Sequence, residues 1–175
     1  MKSKKLLSII LALAMMFSVL PASTVLVHAE AITETISADT TWNDGDTVGG
    51  VTISGGTVTI NGDVGITAEI TIKGNVTFTG GGTLNRMSPS GNLIKVESGS
   101  LTLNNVTIDG TNVTISDSWT AAAINMAGGT VIMNDGAKIT NHKRTSGYGP
   151  AVYMAGGNFK MKGGTISGCE SRNYG

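Results

Sequence analysis

The sequence predicts an all-β protein whose chain winds into a parallel β-solenoid. The segment AINMAGGTVIMNDGAKIT at 123–140 returns as AVYMAGGNFKMKGGTIS at 151–167, an offset of 28 residues. A fainter copy, IKVESGSLTLNNVTI, lies upstream at 94–108. Short apolar alternations separated by glycine and asparagine recur along the chain. Self-similarity at such a period is typical of stacked-repeat proteins, and the strand-like units indicate a stack of β-coils.

The first 29 residues are expected to form a secretory signal peptide that lies outside the fold. A basic start precedes a mainly apolar run at 6–20, and small residues lead to a cleavage point between Ala29 and Glu30. The alternative is a membrane anchor. It is disfavoured because about 15 apolar residues fall short of the ~20 that a spanning helix needs. We therefore expect a secreted or cell-surface protein with no transmembrane segment after cleavage.

Charge and cysteine content limit the classes of partner. The chain has 12 basic and 12 acidic residues, and removal of the three lysines of the signal peptide leaves nine against twelve, a net charge of −3. A weakly acidic surface argues against nucleic acid and anionic membranes as partners. Cys169 is the single cysteine, so an internal disulfide is impossible. The acidic residues are scattered, and we expect neither a metal site nor a cofactor.

Apolar residues in an alternating pattern define the expected strands from Val51 onward. Alternation directs one side chain into the core and the next out of it, as a strand requires. Glycine and asparagine between the strands supply the positive φ that sharp corners need. A meander or sandwich of hairpins is the structural rival, but residues 28 to 30 positions apart require equivalent environments, which favours a parallel coil. The residues expected to point inward and stack in columns are Val58, Ile60, Val76, Phe78, Leu101, Leu103, Val131, Met133, Phe159 and Met161.

The coils are expected to lengthen along the chain. The pairs Val51/Ile53 and Ile70/Ile72 lie 19 residues apart, and the pairs Val58/Ile60 and Val76/Phe78 lie 18 apart. Later coils reach about 30 residues through insertions at 86–92 and 141–150, as solenoids place loops on one face.

The expected organisation is a signal peptide at 1–29, a lead-in and cap at 30–50, and β-helix repeats at 51–175. The lead-in is expected to be irregular, with Trp42 helping to close the core, and about five rungs fit in the repeats. Tyr174-Gly175 repeats Tyr148-Gly149, which precedes a core strand. We therefore expect a C-terminally incomplete fragment of a longer protein that is frayed or aggregation-prone from about Cys169 onward.

Three segments, GGTVTINGD, AGGTVIMNDGAKIT and AVYMAGGNFKMKGGTISG, resemble the repeats of bacterial secreted right-handed parallel β-helix proteins. The resemblance covers about residues 51–175. It implies the pectin-lyase-like fold with three parallel sheets per turn, and a place among large cell-surface proteins of Gram-positive bacteria. Further C-terminal modules for wall attachment are frequent in that family, and neither a sorting signal nor a wall-binding repeat is recognisable here.

Members of the family that hydrolyse galacturonans carry Asn-Thr-Asp, Asp-Asp, Gly-His-Gly and Arg-Ile-Lys motifs, and this sequence contains none of them. The leading hypothesis is a non-catalytic extracellular scaffold or adhesive cell-surface module. One alternative is a polysaccharide lyase or glycoside hydrolase whose catalytic rungs lie beyond Gly175. Another is a carbohydrate-binding module. The expected partner is an extracellular polysaccharide or a host or cell-surface glycan.

The candidate ligand-binding residues cluster around the insertion at 141–150. His142 and Arg144 belong to a basic run there, for which a solvated loop is the alternative interpretation. Tyr148 and Tyr153 could hold a sugar ring by stacking and hydrogen bonding, although sheet packing also explains Tyr153. Trp119 is either a loop anchor or a sugar platform. No residue of the sequence is assigned a catalytic role.

Overall fold

A computed structural model describes residues 31–111, 113–116 and 121–172. Within these ranges, β-strands joined by turns and loops are the only regular secondary structure. The strands are β1 (Thr35–Ile36), β2 (Thr40–Asn43), β3 (Thr47–Val48), β4 (Thr52–Asn61), β5 (Asp63–Ile66), β6 (Ile70–Thr79), β7 (Thr83–Arg86), β8 (Ile94–Val96), β9 (Ser100–Leu103), β10 (Thr107–Asp109), β11 (Thr114–Ile115), β12 (Ile124–Met126), β13 (Thr130–Met133), β14 (Lys138–Thr140), β15 (Lys143–Arg144), β16 (Val152–Met154), β17 (Asn158–Met161), β18 (Thr165–Ser167) and β19 (Glu170–Ser171).

Parallel pairing joins these strands into three sheets. A ten-stranded sheet has the order β16-β12-β8-β6-β9-β13-β17, with β4 beside β6 and with β1 and β2 beside β4. A six-stranded sheet has the order β18-β14-β10-β7-β5-β3, and a three-stranded sheet has the order β11-β15-β19. Strands that follow each other in sequence do not pair. The chain instead contributes a strand to another sheet before it returns to pair with an earlier strand of the first sheet. This arrangement is compatible with a parallel β-helix.

The all-β prediction is confirmed. The hairpin alternative is wrong for the apolar pairs Val51/Ile53 and Val58/Ile60. Ile53, Val58 and Ile60 lie in the single strand β4, so no turn separates the two apolar pairs. The handedness of the coil and the number of its rungs stay predictions.

The sequence repeat corresponds to one passage around the coil. Ile124 pairs with Val152 and Val131 pairs with Phe159, both at the 28-residue offset of the repeat. The 19-residue offset also holds, since Ile53 pairs with Ile72. The 18-residue offset is wrong, because Val58 pairs with Phe78 after the register between β4 and β6 shifts between Ile53 and Gly55. A local bulge of this kind adds residues to one strand and is invisible to spacing alone.

Added residues in the later coils all lie between the six-stranded and the ten-stranded sheet. The early connections are short, at 49–51 and 67–69, whereas the later ones extend over 87–93, 110–123 and 141–151. The strands β11 and β15 lie within the last two of these connections, so the three-stranded sheet is built from inserted chain. This agrees with the expectation that the coils grow on one face.

The core is a set of apolar columns along the stack. Eight of the ten residues expected to point inward are at most 1% exposed. The other two lie in β17, which has a partner strand on one side only. Phe159 there is partly buried and Met161 is 50% exposed. Since β17 is at the edge of its sheet, its inward side chains are covered from one direction.

The segment expected to be an irregular lead-in forms regular strands instead. Strands β1 and β2 pair with β4, and β3 pairs with β5, all in parallel. Threonine alternates there with Ile36, Trp42 and Val48, which are all buried, so the segment follows the same pattern as the later coils. Trp42 is 1% exposed and packs edge-on against Phe78 with the ring centroids 5.8 Å apart. Trp42 therefore contributes to the core at this end, as expected.

Two methionines of one column allow a matched test of this core. Met133 is fully buried, whereas its register partner Met161 is half exposed. We expect Met133→Ala to lower the free energy of unfolding by about 2–5 kcal/mol, because a cavity opens in a packed column. Met161→Ala should cost less than about 1 kcal/mol. Urea titration of both variants measures the difference, and equal losses would contradict the column assignment.

Candidate functional site

A column of outward-facing side chains crosses the strands β6, β8, β12 and β16 of the ten-stranded sheet. Thr71, Lys95, Asn125 and Tyr153 occupy equivalent positions in this column. Loop residues border the column on the side of the insertions. We call the following set the tyrosine strip: Glu69, Asn92, Lys95, Asn125, Tyr148 and Tyr153.

Two tyrosines that the sequence analysis singled out meet in the tyrosine strip. The ring centroids of Tyr148 and Tyr153 are 6.5 Å apart, with the rings inclined by 31°. Tyr148 is 53% exposed, and Tyr153 is half-buried on β16. The connection at 141–151 turns back towards β16 and so carries Tyr148 over the outer face of the sheet. An exposed pair of phenol rings can contact the apolar face of a sugar ring while its hydroxyls remain in water.

A chain of polar side chains ties three coils together beside the tyrosines. Asn125 Nδ2 donates to Asn92 Oδ1 at 3.2 Å, and Asn92 Nδ2 donates to Glu69 Oε2 at 2.8 Å. The Ala122 backbone N–H also donates to Asn92 Oδ1 at 3.2 Å. Because Asn125 is only 9% exposed, these bonds hold its amide in a fixed orientation beside its register partner Tyr153.

Charged groups at the opposite side of the tyrosine strip are paired. Lys95 Nζ lies 2.8 Å from Glu97 Oε1, and Lys73 Nζ lies 3.5 Å from Glu97 Oε2. The hydrogen bond to Glu97 raises the pKa of Lys95, and the same bond lowers the pKa of Glu97. Lys95 and Glu97 therefore both stay ionised near neutral pH. A ligand at this strip would meet amides, phenols and paired charges, which suits the hydroxyl groups of a neutral or weakly charged sugar.

Arg144 lies inside the fold rather than on its surface. Its side chain donates to three backbone carbonyls, at 2.7 Å to Ser146, 2.8 Å to Tyr148 and 2.5 Å to Ala121. With 2% of its surface exposed, the side chain is unavailable to a surface ligand. We therefore withdraw Arg144 from the candidate ligand set. It acts instead as a positioning residue that holds the loop carrying Tyr148.

His142 is also buried, with no exposed surface, and is withdrawn from the ligand set for the same reason. Neither of its ring nitrogens has a hydrogen-bond partner. The ring packs against Gly110, where an added Cβ would come within 2.7 Å of Nδ1. The solvated-loop interpretation is therefore wrong as well, because the histidine fills the space that a glycine on the preceding coil leaves open. Trp119 lies outside the described residues.

Burial lowers the pKa of His142 from its ordinary value of 6.5 to about 4. The positive charge of Arg86 acts in the same direction. The Ile108 backbone and the Asp109 carboxylate favour the protonated ring but are outweighed, and the Ile108 contact falls short of hydrogen-bond geometry. The histidine is therefore neutral in the folded protein at physiological pH.

The sequence analysis missed Glu69, Asn92, Lys95 and Asn125. A signal for two of them was present, because alignment of Ile94, Ile124 and Val152 in the repeat places Lys95, Asn125 and Tyr153 at equivalent positions. Glu69 and Asn92 lie at the ends of connections of different length, where the repeat gives no register.

The described residues contain neither of two other kinds of feature. No group of three or more histidine, cysteine, aspartate or glutamate residues there could hold a metal ion. The same residues contain no helix long and apolar enough for a membrane span.

Comparison with known proteins identifies no relative of the chain. No protein-family model matches it, and no curated protein or solved structure is significantly similar to it.

The buried histidine predicts acid sensitivity. As the pH falls from 6.5 towards 4, the unfolded chain takes up a proton on His142 that the folded protein excludes, so stability falls across this window. The loss should reach roughly 3 kcal/mol. We expect His142→Phe, which keeps a planar ring and removes the titrating group, to abolish this part of the pH dependence.

Urea titrations at several pH values measure the effect. Asp109→Asn separates the contribution of this neighbouring carboxylate from that of the histidine. Desolvation raises the pKa of Asp109, but hydrogen bonds from Asn141, Thr111 and Thr140 outweigh it and lower the pKa below 3.8, so this group acts at lower pH. An unchanged pH profile in His142→Phe would contradict the assignment.

Proposed function

We propose that the chain is a non-catalytic extracellular parallel β-helix that serves as a scaffold or adhesive module at the cell surface. The observation that carries the proposal is that two carboxylates, those of Asp109 and Glu97, are engaged in contacts with neighbouring coils. Asp109 Oδ1 accepts hydrogen bonds from Thr140 of the next coil at 2.9 Å and from Asn141 at 2.8 Å. Glu97 is paired with lysines. Acid–base catalysis on a polysaccharide needs carboxyl groups that can reach the substrate, and these two are engaged in holding neighbouring strands.

The same proposal includes the handedness of the β-helix, its fold family, its number of rungs and its export. Parallel crossovers within one sheet are right-handed in nearly all proteins, which supports a right-handed coil. Three parallel sheets agree with the pectin-lyase-like fold of bacterial secreted proteins that the repeats resemble. Five strands of the six-stranded sheet lie within residues 51–175, which supports the expected stack of about five rungs there, and β3 adds one strand from the preceding segment. The basic and apolar start of the chain supports export through a signal peptide cleaved after Ala29.

The second candidate function is glycan binding without catalysis, and the tyrosine strip favours it. The exposed Tyr148 ring, the half-buried Tyr153 ring and the fixed Asn125 amide combine an apolar platform with polar groups. Such a combination recognises a pyranose ring through its apolar face and its hydroxyl groups together. The partner would be an extracellular polysaccharide or a glycan of a host or cell surface.

A panel of acidic and neutral polysaccharides tests the proposal. We expect retention of the processed chain on at least one immobilised polysaccharide, without new reducing ends or unsaturated products. Release of either product would overturn the non-catalytic assignment in favour of a lyase or hydrolase.

A substitution separates the tyrosine strip from other surfaces. We expect Tyr153→Ala to weaken binding about tenfold, because a stacking contact of this kind is worth up to about 1.5 kcal/mol. Ile132→Ala is the matched control, since Ile132 faces outward on β13, elsewhere in the same sheet, and lies outside the tyrosine strip. Equal losses in both variants would show that the tyrosines are not the binding platform.

A further inference from the structure

A groove of about 600 Å³ lies on the outer face of the six-stranded sheet, where β3, β5 and β7 run side by side. It belongs to a different sheet from the tyrosine strip. Its volume falls within the range of small-molecule sites. The residues that carry the following inference are Asp46, Thr47, Asp63, Asn85, Met87 and Val113.

The groove exists because one side chain is missing from an outward column. Thr47, Gly65 and Asn85 are register partners, and the column continues with Asp109 on β10. Gly65 is the one member of this series without a side chain. A Cβ at Gly65 would overlap the sulfur atom of Met87, whose side chain lies across the gap. The floor of the groove is therefore strand backbone partly covered by a thioether.

The two walls of the groove differ in chemistry. Met87, which is 54% exposed, and Val113 form an apolar wall. Asp46 and Asp63 form the other wall, and the Asn43 backbone N–H holds Asp46 by donating to Oδ2 at 2.7 Å. Neither carboxylate takes part in the three ion pairs found in the described part of the chain.

The positively charged residue in the lining of the groove is buried and hydrogen-bonded to loop carbonyls. Arg86 lines the groove but is only 2% exposed. Its guanidinium donates to the carbonyls of Ser88 at 3.2 Å, Gly91 at 3.1 Å and Ala122 at 2.8 Å. The surface that a ligand meets is therefore negative on one side and apolar on the other.

We propose that this groove binds a polysaccharide segment whose sugars carry free amino groups. The C–H face of a sugar ring fits the wall of Met87 and Val113, and a protonated amine fits the carboxylates of Asp46 and Asp63. The Thr47 hydroxyl and the Asn85 amide can bond the ring hydroxyls. A lysine side chain would satisfy the carboxylates and the apolar wall but has no groups for Thr47 and Asn85. The polar lining therefore favours the amino sugar.

Calorimetric titration of the processed chain with a glucosamine pentamer, below the pKa of the sugar amines, tests the proposal. The fully N-acetylated pentamer has the same ring sequence without the charge. We expect the glucosamine pentamer to bind, with an affinity that falls as salt is added, and the acetylated pentamer to bind at least about fivefold more weakly. Equal affinity for the two pentamers, or no binding of the first, would overturn the proposal.

Substitutions locate the contact. Asp63→Asn should weaken binding about fivefold, the upper range for a solvent-exposed ion pair. Gly65→Ala leaves the charge unchanged but drives Met87 out of its place, and should also weaken binding. Asp135→Asn removes an exposed carboxylate elsewhere and should have no effect. If Asp135→Asn weakens binding as much as Asp63→Asn, general charge attraction replaces the groove as the explanation.

Two further measurements distinguish binding at the groove from glycan binding at the tyrosine strip and from binding of a peptide. The difference in affinity between the two pentamers should persist in Tyr153→Ala and be reduced in Asp63→Asn, so loss at the groove and loss at the tyrosine strip are distinguishable. A lysine-containing peptide that binds the groove more tightly than the pentamer would overturn the sugar assignment. Circular dichroism of each variant shows whether the fold persists, and Asp63→Asn changes no buried group.

Discussion

In-register parallel pairing between successive coils is the constraint on which the rest of the structure depends. Each coil buries its apolar side chains against the coil on either side, and one coil alone has too little apolar surface to offset the entropy of ordering its chain. Register decides which residues share a column. A shift by one position would turn Leu101 and Leu103 outward and their polar neighbours Ser100 and Thr102 inward. The columns of the core and those of the outer face therefore follow from the same pairing.

Buried polar side chains differ in whether hydrogen bonds compensate for their loss of contact with water. Arg86 and Arg144 lie at the ends of β7 and β15, and each binds three backbone carbonyls of the loops that follow or adjoin it. Loop carbonyls would otherwise lack partners once the loops fold against the sheets. His142 is the opposite case, because its ring occupies space beside Gly110 without a hydrogen bond. The arginines thus organise loops, whereas the histidine makes the same region sensitive to acid.

The repeat and the alternation predicted the strands, the parallel pairing and most of the inward residues, because these depend on patterns that recur in every coil. The bulge near Gly55 and the regular strands before Val51 escaped prediction. The first is a local backbone event, and the second is a coil whose sequence diverges so far from the later ones that the repeat does not reveal it. Prediction was weakest for His142 and Arg144, since a basic run in an insertion resembles a solvated loop. Their burial depends on a glycine and on carbonyls contributed by other coils, which no local pattern reveals. Tyr148 and Tyr153 were found because aromatic residues are few in this sequence.

Inserted chain is confined to one seam of the molecule, between the six-stranded and the ten-stranded sheet. The early coils cross this seam in three residues, at 49–51 and 67–69, and keep the same core columns as the coils with long crossings. Evolution can therefore lengthen, shorten or replace each crossing independently while the inward residues stay in place. Relatives of such a protein would differ most along the seam and least in the columns. Alignment coil by coil, with the crossings removed, is consequently a more sensitive way to detect common ancestry than alignment of whole chains.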